Sequence, residues 1–292
     1  MRDTGMLRAL VRSFYDAQKL RIMAGNRLVA NVQVRLGQDP GRPREEMSEE
    51  AQGLLRALCA DAARVADGLS LREVKAIVRE MAVQGGIIAD VFEFQLTRHY
   101  RRLLESEGSL ERSLGEAVAD YPIYQQFLSS VRGCGPIMSA VIVSELDPTK
   151  ARHVSSFWKY VGLDVAVDGR GRSRRAEHLV DVRYKNSDGE DAVRKGITFN
   201  PFLKTKLVGV LAGSFLRCGS SYREYYDNYK HRLESHAVYK DVTKGHRHSM
   251  AMRYMIKMFL AALWVKWREL EGLPVTESYA EAKLGYRHGV VS

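Results

Sequence analysis

Over most of its length this chain spaces its apolar residues three and four apart, the repeat that puts them on one face of an α-helix. Leu7, Leu10, Val11, Phe14 and Tyr15 open the series, Leu20, Ile22, Met23, Leu28, Val29 and Val32 continue it, and a helix over about 5–36 is predicted. Pro40, Gly41 and Pro43 break it within 38–47. Helical spacing resumes from Ser48 to about Leu69, with Leu54, Leu55, Leu58, Ala62 and Val65. Ser70 and Glu73 form a Ser-x-x-Glu capping box that starts a third helix. Ile87, Ile88, Val91, Phe92 and Phe94 place a fourth over about 87–106. A helical bundle or long helical hairpin is therefore expected for residues 1–120.

A different signal begins at Val131-Arg-Gly-Cys-Gly-Pro-Ile. A helix ends near Gly133, the chain turns through Gly135-Pro136, and an apolar helix restarts at Ile137 and runs to Leu146. Glycine at 133 and 135 admits positive φ and lets backbone approach a phosphate with no Cβ in the way. The first-turn N–H groups of the new helix have no intrahelical acceptor and favour an anion. This is the pattern of a helix-hairpin-helix. An ordinary corner, with a glycine C-cap and Pro136 at the first helical position, fits the same residues.

Further on, Phe157, Trp158, Tyr160 and Val161 give a short helix closed by Gly162. Residues 163–198 are rich in glycine and charge, with β-like pieces at Val165–Val167 and Leu179–Val182, so loops and a short hairpin are expected. Helices return over 200–216, 222–233 and 250–270. The predicted fold is mainly α: the N-terminal helical region over 1–120, a helix-hairpin-helix domain with a small insert over 121–271, and an extended tail over 272–292.

The net charge of +10 is unevenly placed. Residues 1–150 hold 20 basic and 20 acidic residues, so the whole excess lies in 151–292, with 25 and 15. That asymmetry points to an anionic partner for the second half. No apolar run approaches the 18 residues of a membrane span, and no signal peptide opens the chain, so a membrane partner is not expected. Cys59, Cys134 and Cys218 are few and scattered, which reads as reduced thiols in a cytoplasmic protein.

Arg170, Arg172, Arg174 and Arg175 crowd six residues of the run Asp168-Gly-Arg-Gly-Arg-Ser-Arg-Arg175. Guanidinium groups fork onto phosphate oxygens, and Ser173 sits among them. Two readings stand for Ser173: a nucleophile whose developing charge the arginines stabilise, and a bystander in a loop that touches phosphates. Arg132, Gly133 and Gly135 at the corner, and Lys195, Lys204 and Lys206, are candidate nucleic-acid contacts. So are Lys244, His246, Arg247 and His248 before the last helix; the two histidines are spaced more like a strand than like one helix face. Tyr222, Tyr225, Tyr226 and Tyr229 fit packing better than strand transfer. Neither a metal-ligand set nor the strand-borne carboxylates of a ribonuclease-H-like domain is apparent.

The order of these landmarks resembles one group of insertion-sequence transposases, whose members pair a RuvC-like DEDD domain with a helix-hairpin-helix serine domain. The resemblance covers about 123–270. It runs from Val131–Ile137 and Glu145-Leu146 through Phe157–Leu163, Arg194-Lys-Gly196, Phe202–Leu216 and Tyr226–Leu233 to Lys244–His248 and the helix reaching Trp267. It implies duplex DNA as partner, a structured guide RNA in some members, Mg²⁺ as cofactor, and Ser173 as the nearest match to the catalytic serine. It also implies that the N-terminal helices correspond to a coiled-coil part and a homo-oligomer. The DEDD domain has no counterpart here. Duplex DNA strand transfer through Ser173 is the first expectation. A catalytically inactive architectural protein that binds DNA or RNA is the second, and a helical protein–protein module with a basic face the third.

Overall fold

The computed structural model describes residues 4–41, 47–239 and 242–276. It is mainly helical, and the sheet among the described residues is one antiparallel hairpin. The chain divides into two compact units, Ala9–Ser113 and Met1–Arg8 with Leu114–Ser292.

The first unit is built from α1 (Gly5–Arg35), α2 (Glu49–Ala63), α3 (Leu71–Val83) and most of α4 (Val91–Ala119). Each helix contributes one apolar stripe to a shared core that includes Leu28, Val32, Leu58, Val78, Ile88 and Phe94. The Ser70 capping box is formed: Glu73 N–H donates to Ser70 Oγ, and Ser70 N–H donates to Glu73 Oε2 at 2.8 Å. α4 extends thirteen residues past the expected end at 106. Its later turns are fixed by burial of Leu114 and Val118, which override a stretch of weak helix formers such as Gly108 and Ser109. Part of the expected break over 38–47 lies outside the described residues.

The second unit surrounds α6 (Pro136–Glu145), which is buried on nearly every side, with Ala140–Val143 fully enclosed. It is preceded by α5 (Pro122–Gln126), a 3₁₀ turn at Leu128–Ser130 and the glycine corner. The arm before the corner is thus a five-residue helix and a 3₁₀ turn in place of one helix ending near Gly133. α7 (Val154–Val161) ends where Gly162 takes φ +73. A loop then leads to β1 (Val180–Lys185) and β2 (Asp191–Gly196), which are paired in register from Val180 opposite Gly196 to Lys185 opposite Asp191. The predicted strand piece at 165–167 reduces to a single bridge between Val165 and Gly171.

α8 (Pro201–Lys204), a π-helical segment (Thr205–Leu211) and α9 (Ala212–Cys218) run as one continuous helix. It lies antiparallel to α6. Ser214 Oγ donates to Gly133 O at 2.9 Å at one end, and Asn200 Nδ2 donates to Glu145 Oε2 at 2.6 Å at the other. α10 (Arg223–Ser235) and α11 (Lys244–Leu270) complete the unit. α11 supplies Met255, Ile256, Phe259, Leu263 and Trp264 to the core. Only the first residues of the expected tail, to Thr276, are described; the rest lies outside the described residues.

Candidate functional site

The loop between α7 and β1 is tightly tied. Ala166 N–H donates to Arg170 O at 2.7 Å, Arg172 N–H donates to Asp164 O at 3.0 Å, and Gly169 turns at φ +76. These bonds fold residues 164–172 back on themselves and present Ser173 at the exit. Ser173 Oγ lies 2.9 Å from His178 Nδ1, and His178 Nε2 lies 3.1 Å from Asp168 Oδ2. His178 is buried, while Ser173 is half-buried. Asp168 also accepts the Arg170 N–H at 2.9 Å. That bond and the His178 contact hold its carboxyl below the usual carboxylate range.

The other neighbours of this loop are cationic. Lys204 Nζ donates to Arg172 O at 2.6 Å and stands 4.4 Å from the centre of the Phe199 ring. Burial, aided by the positive charge of Arg253, pulls the Lys204 ammonium down to about 8. Arg253 donates to Gly162 O at 3.1 Å, and a Cβ on Gly171 would fall 2.9 Å from its guanidinium carbon. Glycine at 171 therefore makes room for an arginine against the loop. Lys257, one turn along α11, is likewise depressed by burial and by Arg253. The nearest carboxylate is Asp164, whose Oδ2 binds Arg172 at 2.8 and 3.0 Å. Its Oδ1 is buried without a hydrogen-bond partner.

The predicted arginines separate into two kinds. Arg172 is an anchor on Asp164, while Arg170, Arg174 and Arg175 are exposed. Lys195 pairs with Asp181 across the hairpin at 2.8 Å, and Lys206 lies over the Phe202 ring. The 244–248 cluster forms the first turns of α11, so its expected strand-like spacing is corrected to helix. There Arg247 donates to Tyr239 O, His248 Nδ1 meets Tyr226 Oη at 2.6 Å, and Lys244 and His246 are exposed. The tyrosines pack: Tyr222 against Phe215 and Phe259, and Tyr229 against Tyr254.

The glycine corner differs from its expected geometry. Gly133 has φ +93, but Gly135 has φ −70, which any residue tolerates. A Cβ on Gly133 would fall 2.7 Å from Cys218 Sγ and 3.1 Å from Phe215. That glycine therefore permits close packing on α9. Exposed Arg132 and Gly135 form the outer part of the corner. The corner adjoins one end of the α6 pair and the serine loop, through Lys204 on Arg172 O, adjoins the other; α6 itself spans about 15 Å, ten residues at 1.5 Å each.

The Mg²⁺ implied by the resemblance does not fit the residues around Ser173. Lys204, Arg253 and Lys257 repel a cation, both oxygens of Asp168 are taken by His178 and the Arg170 N–H, and Asp164 is paired through Oδ2 with Arg172. Among the described residues no group of three or more His, Cys, Asp or Glu could hold a metal ion.

Sequence reasoning missed His178, Asp168, Arg253 and Lys257 as members of this site. The serine, the histidine and the aspartate fall at five-residue intervals, a spacing that matches neither helix nor strand and carries no signal by itself.

What these elements define is a basic helical unit that carries a serine on a short loop above half-buried cations. Residues 125–187, from α5 to the turn of the hairpin, match the Transposase IS116/IS110/IS902 family, a stretch of about a fifth of the chain that contains Asp168, Ser173 and His178. No curated protein and no solved structure matches the chain. No helix among the described residues is long and apolar enough to cross a membrane.

Proposed function

We propose that this is a DNA-binding protein of mobile-element origin, related to the insertion-sequence transposases, in which Ser173 attacks a DNA phosphodiester. The observation that carries the reading is the placement of Ser173 between exposed Arg174 and Arg175 and half-buried Lys204 and Arg253, inside the stretch that matches the family. Three half-buried cations near one carboxylate form a poor structural core but suit a phosphate. Lys204 and Arg253 would neutralise the non-bridging oxygens, and their preorganised charge is worth more in a partly dehydrated site than in water. The Oγ–phosphorus bond forms as one ester bond of the strand breaks, leaving protein and DNA joined. The corner at Arg132 and Gly135 would hold the same duplex roughly four to five base pairs away, reading no sequence.

The test is a covalent adduct with duplex DNA, resolved on a denaturing gel and mapped by mass spectrometry. An adduct at Ser173, absent in Ser173→Ala, is expected. DNA binding by both proteins with an adduct from neither would overturn the catalytic part. It would favour the architectural reading, for which the hydrogen bond from Arg175 N–H to Ser173 Oγ, at 3.3 Å, is a specific observation: it makes Ser173 a clasp for its own loop.

A further inference from the structure

If Ser173 is a nucleophile, its proton needs an acceptor. The Ser173 backbone N–H donates to His178 Nδ1 at 2.9 Å, and Ser173 Oγ lies 2.9 Å from the same nitrogen. An amide N–H can only donate, so Nδ1 presents a lone pair and the ring proton resides on Nε2. Nε2 then donates to Asp168 Oδ2 at 3.1 Å. Asp168 is itself oriented by the Arg170 N–H on its other oxygen. With His178 only 2 % exposed, the ring is held in this orientation. The acceptor side of the imidazole faces the serine, and the donor side faces a carboxylate.

We propose that His178 is the general base for Ser173 and that Asp168 is a positioning residue that sets its tautomer, so the loop 168–178 carries its own Ser–His–Asp relay. This rests on Ser173 being the nucleophile, but not on DNA being the electrophile. In the phosphodiester case, the Oγ proton passes to the one lone pair of Nδ1, releasing the Ser173 N–H that donates there, as the Oγ–phosphorus bond forms. The electron pair of the broken P–O bond stays on the departing deoxyribose oxygen, which takes the proton from Nδ1. One ester replaces another, with no change of oxidation state. The arrangement places base and orienting acid as a triad does, although the serine meets Nδ1 and the carboxylate meets Nε2.

An organofluorophosphonate probe, whose fluoride an activated serine displaces, tests the relay without DNA. Labelling of the full chain at Ser173 is expected, and Ser173→Ala should lose it. His178→Gln should slow labelling roughly 10²- to 10⁴-fold, the range for a general base. Should that buried substitution unfold the loop, Asp168→Asn serves, because the amide at this exposed position keeps the contact while allowing the wrong tautomer. It should slow labelling at least about tenfold. Equal rates in wild type and in folded Asp168→Asn and His178→Gln would overturn the relay, as would an unlabelled wild-type Ser173.

The adduct assay on the same variants separates the two claims. A DNA adduct indifferent to His178 and Asp168 removes the relay and keeps the phosphodiester reading. Labelling that depends on His178, with no adduct, does the reverse.

Discussion

The two units share one sequence pattern, amphipathic helices over an apolar core, yet they treat charge in opposite ways. Ala9–Ser113 holds 16 basic and 15 acidic residues; the remainder holds 29 and 20. In the first unit the buried carboxylates are matched. Glu107 accepts from Gln18 and Arg21, and Glu93 accepts from Arg35 and from the Ala89 N–H. In the second, Lys204, Arg253 and Lys257 gather near Asp164, which Arg172 already occupies. Removing charge from water is unfavourable unless a partner compensates. Matched charges can therefore serve architecture alone, whereas an uncompensated cluster is better explained by an anion that arrives from outside.

The contrast can be broken at several points. The largest effect belongs to the first unit's core: Phe94→Ala, at a fully buried site, should cost about 3–5 kcal/mol in chemical denaturation. DNA affinity of the remaining folded protein should be unchanged; a parallel loss of affinity would show that the neutral unit also contacts DNA. Glu107→Ala should cost about 2 kcal/mol, because it leaves Arg21 without its main carboxylate in a largely buried position. No stability loss there would remove the matched-charge account.

In the basic unit, Arg174→Ala and Arg175→Ala should barely alter stability. Each should flatten the slope of log affinity against log salt by about one unit for duplex DNA. An unchanged slope in the double variant would take the serine loop off the DNA.

A pH dependence gives a further test. Lys204 titrates near 8 in the folded protein against an ordinary 10.5, so between these values the unfolded chain binds more protons than the folded one. Wild-type stability relative to Lys204→Met should therefore rise from about pH 8 to pH 10.5. A flat difference would mean that Lys204 is solvated and not part of a crowded cation cluster.

Much of this was legible residue by residue. The capping box at Ser70 and Glu73, the stop at Gly162 and the hairpin beginning near Leu179 all depend on neighbours within a few positions, and each forms where the residues place it. Reading failed where distant residues intervene. Gly133 looked like a backbone cleared for a phosphate, but α9 fills the space of its missing Cβ. Arg172 looked like its three neighbours until Asp164 claimed it. Arg253 and Lys257 lie within a predicted helix that does not by itself show where its cations point, and His178 carried no pattern at all.

The amino-acid order by itself determined that the chain is mainly helical, where most of its helices begin, and that its positive charge collects after residue 150, because propensity, capping and composition are local properties. Folding in three dimensions decided which cations lose their water together, which glycine faces a neighbouring helix, and that a serine, a histidine and an aspartate meet within hydrogen-bond reach. Those outcomes depend on distance and dielectric between side chains, quantities that exist only once the chain has packed.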